Sequence, residues 1–225
     1  MSSVHNLAFI HSSFMAHLIC AKIPAPFSSP KQAETMPSYD YDAAVSSIVQ
    51  HRREAYAADA TDESIRLEHL HQSVELFTNL SAQCPMTPLL WMQYAEDAAA
   101  VVGGLLSAEA GGEAGDASGA ATQIADTRLN ILELAIEEWP GCALLRLRHL
   151  EAVMAAAAAK AKSDDGGDAD DSSIAVRKAF HDAISFVGRG SHRNEDGIVA
   201  AIYRLHVQYL MGLASASIYS EPSVP

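Results

Sequence analysis

The chain has 225 residues and a formal net charge of −13 at pH 7. This length is enough for one medium domain or a short repeat array with a buried core. Its acidic surplus argues against direct binding to a nucleic-acid backbone, which needs a basic face. Much of that surplus is local, since the segments 103–121 and 163–171 carry eight acidic residues and no Lys or Arg.

Three widely spaced cysteines, Cys20, Cys84 and Cys142, form no CxxC pair. Their number and spacing exclude a disulfide framework or a zinc ribbon, and they favour a reducing compartment. No stretch approaches 18 consecutive apolar residues, so no membrane-spanning helix is predicted. Abundant Ala and Leu, with few β-branched runs, predict an all-α fold.

The first segment, 1–38, is predicted to be a disordered leader. No acidic residue precedes Glu34, and 7–20 is fairly apolar, so a targeting peptide is the alternative interpretation. Because no Lys or Arg precedes the apolar stretch and two histidines interrupt it, the leader is favoured. Met36 is a further candidate for the true start.

Between residues 39 and 213, apolar residues recur with a helical period and predict about seven amphipathic helices. The expected ranges are about 40–57, 62–83, 88–102, 122–138, 142–161, 173–187 and 195–213. Thr61 or Asp62 is expected to cap the second helix and Pro88 to begin the third. Gly103 and Gly104 are expected to end the third.

Composition predicts three further disordered segments. Two are acidic insertions near 103–121 and 161–172, which are rich in Gly, Ala, Asp and Ser. The third is the tail, 214–225. The predicted domain is therefore a helical array over 39–213 that two loops interrupt.

The predicted helices repeat weakly with an offset of 55 residues. Two copies of a pattern recur: a turn residue followed by Pro, then a Leu, a ring side chain and a Glu. The first copy is Cys84-Pro85, Leu90, Tyr94 and Glu96, and the second is Trp139-Pro140, Leu145, His149 and Glu151. A fainter third copy runs through Tyr203, His206 and Tyr209. Helix pairs that repeat at such a period are typical of an α-solenoid, which offers a binding surface rather than catalytic chemistry.

One copy carries a more specific pattern. Trp91 and Tyr94 lie three residues apart, and Glu96 and Asp97 follow them in a helix that a Pro-containing turn precedes. This pattern resembles a half-a-tetratricopeptide (HAT) repeat. The segments 132–136 and 180–184 resemble degenerate versions of the second helix of that motif, while Arg146 stands where Trp91 would recur.

Over 39–211 the order of these parts is similar to the N-terminal region of the HAT proteins that recycle U4/U6 snRNPs. The resemblance implies an α-solenoid of antiparallel helix hairpins, like that of tetratricopeptide (TPR) proteins. It implies a nuclear, non-enzymatic protein–protein interaction scaffold in RNA processing, active in spliceosomal snRNP assembly or recycling and hence in pre-mRNA splicing. Catalytic, cofactor-binding and metal-binding residues are not expected.

The same resemblance implies the partners, which would be snRNP or other RNA-processing proteins. RNA would be reached only indirectly or through C-terminal domains outside this chain, and a homodimer would form through repeats outside it. No membrane partner is expected. Because the last predicted helix keeps an aromatic face without a polar cap, we expect the chain to be the N-terminal part of a longer solenoid.

Several polar motifs are interpreted as structural. His69 and His71 lie two residues apart on different helix faces, so they cannot bind one metal together without outside ligands. His149 and Glu151 match the HxE of zinc deaminases, but no PCxxC follows them. The Asp-rich stretch 164–171 lacks the ligand spacing of an EF-hand.

The aromatic residues at helical spacing, Trp91, Tyr94, Tyr203 and Tyr209, are predicted to pack between helices rather than to form a ligand-binding stripe. Cys84 and Cys142 are interpreted as small apolar spacers. The main alternative function is a generic TPR-like adaptor outside RNA metabolism. It would need a basic clamp, whereas the Lys and Arg residues are scattered along the helices. A helical enzyme is the least favoured hypothesis, because no convergent polar group is visible.

Overall fold

The computed structural model describes residues 40–57, 62–109, 117–161, 169–189 and 196–219. All regular secondary structure in this part of the chain is α-helical, which confirms the predicted all-α class. The helices are α1 (Tyr41–Ala55), α2 (Glu63–Gln83), α3 (Pro88–Glu109), α4 (Ala117–Glu138), α5 (Ala143–Lys160), α6 (Ala169–Arg189) and α7 (Asp196–Tyr219). The predicted leader, 1–38, lies outside the described residues.

The first helices begin where side-chain caps are available. Asp40 Oδ1 accepts a hydrogen bond from the backbone N–H of Ala43 at 3.0 Å. Asp62 Oδ1 does the same for Ser64 at 2.9 Å, as predicted for the start of α2. Such caps satisfy N–H groups that have no partner inside the helix. Pro88 opens α3, as expected from its fixed φ and missing N–H.

The prediction that two glycines end α3 is wrong. The helix continues through Gly103 and Gly104 to Glu109. A Cβ at Gly104 would collide with both Cδ atoms of Leu67 in α2. Gly104 therefore provides a notch for a side chain of the neighbouring helix, and packing outweighs the low helix propensity of glycine.

Other boundaries also lie further out than expected. Helix covers 103–109 and 117–121 of the first expected insertion, 169–172 of the second, and 214–219 of the expected tail. The extended ends are rich in Ala and Ser, and alanine has the highest intrinsic helix propensity, so polar composition alone misplaced them. The remaining parts of these segments, 110–116, 162–168 and 220–225, lie outside the described residues.

Each helix packs against the next one in the chain. α4 and α5 run antiparallel, because Glu133 lies 3.9 Å from His149 near one end of the pair and Asp126 lies 3.3 Å from Lys160 near the other. α3 also contacts α5, and α5 contacts α7. The odd-numbered helices thus meet one another as well as their immediate neighbours.

The buried side chains form two clusters along this row of helices. One spans α1 to α5 and includes Phe77, Trp91 and Tyr94. The other spans α5 to α7 and includes Phe180. Leu129 of α4 packs against both clusters, so the core is continuous from one end of the row to the other.

The 55-residue offset found in the sequence recurs in the pattern of burial. Leu90, Ala95, Ala98 and Val101 of α3 are buried, and so are their counterparts Leu145, Leu150, Val153 and Ala156 of α5. Arg146, at the counterpart position of Trp91, places its guanidinium 4.2 Å from the ring centroid of Phe186 in α6. Both copies of this position therefore contact the following even-numbered helix, since the Trp91 indole donates to Glu138 Oε2 at 2.9 Å.

The two Pro-containing turns of the repeat also meet directly, because the Trp139 indole N–H donates to the carbonyl of Met86.

Within the described segments, no helix combines the length and apolarity that crossing a bilayer requires.

Candidate functional site

A polar network around the buried Asp97 joins the first three helices. Asp97 of α3 has no solvent exposure. Its Oδ1 lies 2.5 Å from Arg52 Nη1 and accepts from the Tyr56 hydroxyl at 3.0 Å. Its Oδ2 accepts from Ser73 Oγ at 2.6 Å. Both carboxylate oxygens are thus satisfied by donors from α1, from Tyr56 directly after α1 and from α2, as a buried charge requires.

The same network affects the ionisation of Tyr56. Burial, followed by the charge of Asp97 and the hydrogen bond to it, raises the pKa of Tyr56 to about 12. The phenol therefore stays protonated at neutral pH and remains a hydrogen-bond donor. A saturated carboxylate beside a protonated phenol fits a structural clamp better than an acid–base catalyst.

A first cleft opens where α3, α4 and α5 meet. Its volume is about 230 Å³, and charged side chains of both signs line it, namely Glu96, Arg128, Arg148 and Glu151. Arg148 Nη1 pairs with Glu151 Oε2 at 2.9 Å. Among the described residues, the Nε of Arg128 is buried without a hydrogen-bond partner. Small-molecule pockets usually measure about 300–1,000 Å³, so this cleft suits a side chain of a partner better than a drug-sized ligand.

A second cleft of about 250 Å³ lies on the other side of α5, against α4 and α6. His149 lines it, and burial together with the charge of Arg146 lowers the pKa of this imidazole, while Asp182 opposes the shift. Burial and the neighbouring Glu137 raise the pKa of Glu133, while Lys178 opposes that shift. The cleft contains no closely hydrogen-bonded nucleophile–base pair in the part of the chain that the structure describes, since the His149–Glu133 approach is 3.9 Å.

Three potential metal ligands meet between α1 and α2. His51 Nδ1 and His69 Nδ1 lie 3.4 Å apart. Glu54 Oε2 lies 3.3 Å from His69 Nδ1 and 3.9 Å from His51 Nδ1. The three ligand atoms fall within 4.8 Å of one another. We call this group the His–Glu–His cluster.

Sequence reasoning missed two members of this cluster. It considered His69 only with His71, which instead approaches Glu75 at 3.4 Å. The available signal was His51-x-x-Glu54, a spacing that places both side chains on one helix face. That His69 would join them depends on how α1 packs against α2.

His149 and Glu151 do not meet, since Glu151 pairs with Arg148. Trp91 and Tyr94 are buried, and Tyr209 stacks on Phe180 with centroids 5.2 Å apart. These three confirm the packing interpretation.

The packing interpretation is wrong for Tyr203, which is 44 % exposed.

The thiols of Cys84 and Cys142 are free and half-buried beside the first core cluster, in agreement with a spacer role. The Asp-rich stretch 164–171 lies largely outside the described residues.

Comparisons of the chain with protein-family models, with curated proteins and with solved structures found no match.

Proposed function

We propose that this chain is an α-solenoid of HAT-like hairpins that acts as a non-enzymatic protein–protein interaction scaffold in nuclear RNA processing. The observation that carries the proposal is the correspondence of four buried positions of α3 with four buried positions of α5 at an offset of 55 residues. The additional contacts from α3 to α5 and from α5 to α7 support a stack of like units.

The surface chemistry supports a protein partner. The cleft between α3, α4 and α5 combines Arg128 and Arg148 with Glu96 and Glu151, so its formal charge is balanced. A balanced cleft is a poor clamp for an acidic peptide tail, which weakens the alternative of a generic TPR-like adaptor. It is equally unsuited to the phosphate backbone of RNA, which needs clustered positive charge.

α7 exposes an apolar stripe. Tyr203, Val207, Leu210 and Met211 are 44 %, 53 %, 49 % and 64 % exposed, and their spacing places them on one side of the helix. Exposed apolar side chains that lie together are typical of protein-interaction surfaces. We propose that a protein component of an snRNP contacts this stripe.

The assignment to RNA processing, and to spliceosomal snRNP assembly or recycling in particular, rests on the resemblance to HAT repeats. Trp91 and Tyr94 support it, because their buried rings lie 6.1 Å apart and pack between helices, which is the role that the motif implies for them. Nuclear localisation belongs to the same proposal.

Affinity purification from nuclear extract of the host tests the proposal. The wild type should recover U4/U6 snRNP proteins, and Val207→Asp combined with Leu210→Asp should reduce their yield severalfold. Val49→Asp is the matched control, since Val49 is 54 % exposed on α1. Recovery of chaperone or trafficking components in place of snRNP proteins would favour the generic adaptor, and equal loss with the control would overturn the role of α7.

A further inference from the structure

We propose that the His–Glu–His cluster binds a divalent transition-metal ion of the zinc class and links α1 to α2. Two imidazoles and one carboxylate would supply three protein ligands. This is a site separate from the scaffold surface, and it stands on the geometry of His51, Glu54 and His69 alone.

The distances between ligand atoms suit tetrahedral zinc. With metal–ligand bonds of about 2.0–2.1 Å, two ligands of a tetrahedral zinc ion lie about 3.3–3.4 Å apart. The two Nδ1 atoms are 3.4 Å apart, and His69 Nδ1 is 3.3 Å from Glu54 Oε2. The remaining pair, His51 Nδ1 and Glu54 Oε2, is wider at 3.9 Å. A small rotation of the Glu54 carboxylate closes that difference, since its side chain is 41 % exposed.

A neighbouring side chain already orients the carboxylate. Gln50 Nε2 donates to Glu54 Oε1 at 3.1 Å, which leaves Oε2 to face the imidazoles. Such outer hydrogen bonds fix the orientation of metal ligands and raise affinity. The side chains of His51 and His69 are 28 % and 26 % exposed, so water can reach the cluster and fill a fourth coordination position.

The donor set indicates which metals fit. Imidazole nitrogen suits Zn²⁺, Cu²⁺ and Ni²⁺, whereas Ca²⁺ and Mg²⁺ prefer oxygen ligands. Coordination through Nδ1 places the remaining proton of each ring on Nε2 and requires both imidazoles to be neutral. Without a metal, the two Nδ1 atoms can share a hydrogen bond only when one of them carries a proton.

The consequence would be a cross-link between consecutive helices. His51 and Glu54 belong to the last turns of α1, and His69 belongs to the second turn of α2. A metal bound by all three holds these turns together and stabilises the folded chain, because the unfolded chain does not present the three ligands in place.

Zn²⁺ titration of the full chain by calorimetry tests the site. Because the chain has ten histidines, variants must assign the binding. We expect one equivalent of Zn²⁺ to bind in the wild type, and His51→Asn, His69→Asn and Glu54→Gln each to lose more than about tenfold in affinity. His71→Asn is the matched control on the same helix and should retain wild-type affinity.

Two further readouts separate metal binding from a packing role. Long-range ¹H–¹⁵N spectra of the imidazoles should show Zn²⁺ on Nδ1 of His51 and His69 and a proton on Nε2. Zn²⁺ should raise the Tm of the wild type and of His71→Asn but not that of His69→Asn. Absence of saturable binding, or affinity that His51→Asn and His69→Asn leave unchanged, would overturn the proposal. If circular dichroism shows that a histidine variant does not fold, the test rests on Glu54→Gln. The Glu54 side chain is the most exposed of the three ligands, so this variant is the least disruptive.

Discussion

Removal of the Asp97 carboxylate should be among the most destabilising single changes in this chain. Asp97→Ala deletes the acceptor for three donors and leaves Arg52, whose side chain is only 16 % exposed, without its counter-ion. Breaking a buried ion pair from one side typically costs about 3–5 kcal/mol. Arg52 keeps a hydrogen bond to the carbonyl of Gln93 at 3.0 Å, so we expect the lower half of that range.

Urea unfolding, monitored by far-UV circular dichroism, measures the free energy of unfolding of each variant. Asp126→Ala is the control, because Asp126 forms an exposed pair with Lys160 and such pairs contribute about 0–1 kcal/mol. A double-mutant cycle of Asp97→Ala with Arg52→Met isolates the coupling. We expect the double variant to lose about 0.5–3 kcal/mol less unfolding free energy than the sum of the losses in the two single variants.

A loss of stability in Asp97→Ala no larger than that in Asp126→Ala, or a cycle without coupling, would refute this prediction. Either result would mean that water or a shifted side chain replaces the network, and that Asp97 does not hold α1 and α2 against α3.

Two further predictions concern a glycine and a histidine. Gly104→Ala should gain about 1 kcal/mol of helix propensity in a Leu67→Ala background but not in the wild type, where the new Cβ meets the Leu67 side chain. Urea unfolding of the wild type, the two single variants and the double variant measures this difference. Because folding lowers the pKa of His149 from 6.5, the unfolded state binds more protons below that pH, and stability should fall as the pH falls. His149→Gln should remove this loss, which cannot exceed about 1.4 kcal/mol per pH unit for one proton.

Each of these predictions has a clear opposing result. Equal stabilisation by Gly104→Ala in both backgrounds would show that Leu67 moves aside without cost. For the histidine, the unfolding midpoint of each protein is compared between about pH 7.5 and about pH 5.5. If the midpoint changes equally in His149→Gln and in the wild type, the imidazole is as easily protonated in the folded chain as in the unfolded one.

By itself, the sequence determined the helical class and most of the helices. A 3.6-residue apolar period is local information, and so are the cap at Asp62 and the start at Pro88. The 55-residue offset is also visible in the sequence, and of the pairs read from it, Leu90 and Leu145 are both buried while Glu96 and Glu151 are both exposed.

Only the tertiary structure decided what the local signals left open. Gly104 continues a helix, despite the low helix propensity of glycine, because Leu67 of another helix fills the space beside it. His51 and His69, separated by 18 residues, meet because α1 packs against α2. In the sequence, Asp97 is one of two acidic residues that follow Trp91 and Tyr94, and its burial depends on donors from outside α3. Arg52 of α1, Tyr56 just after α1 and Ser73 of α2 converge on it. Such contacts depend on the relative rotation of packed helices, which no single helix encodes.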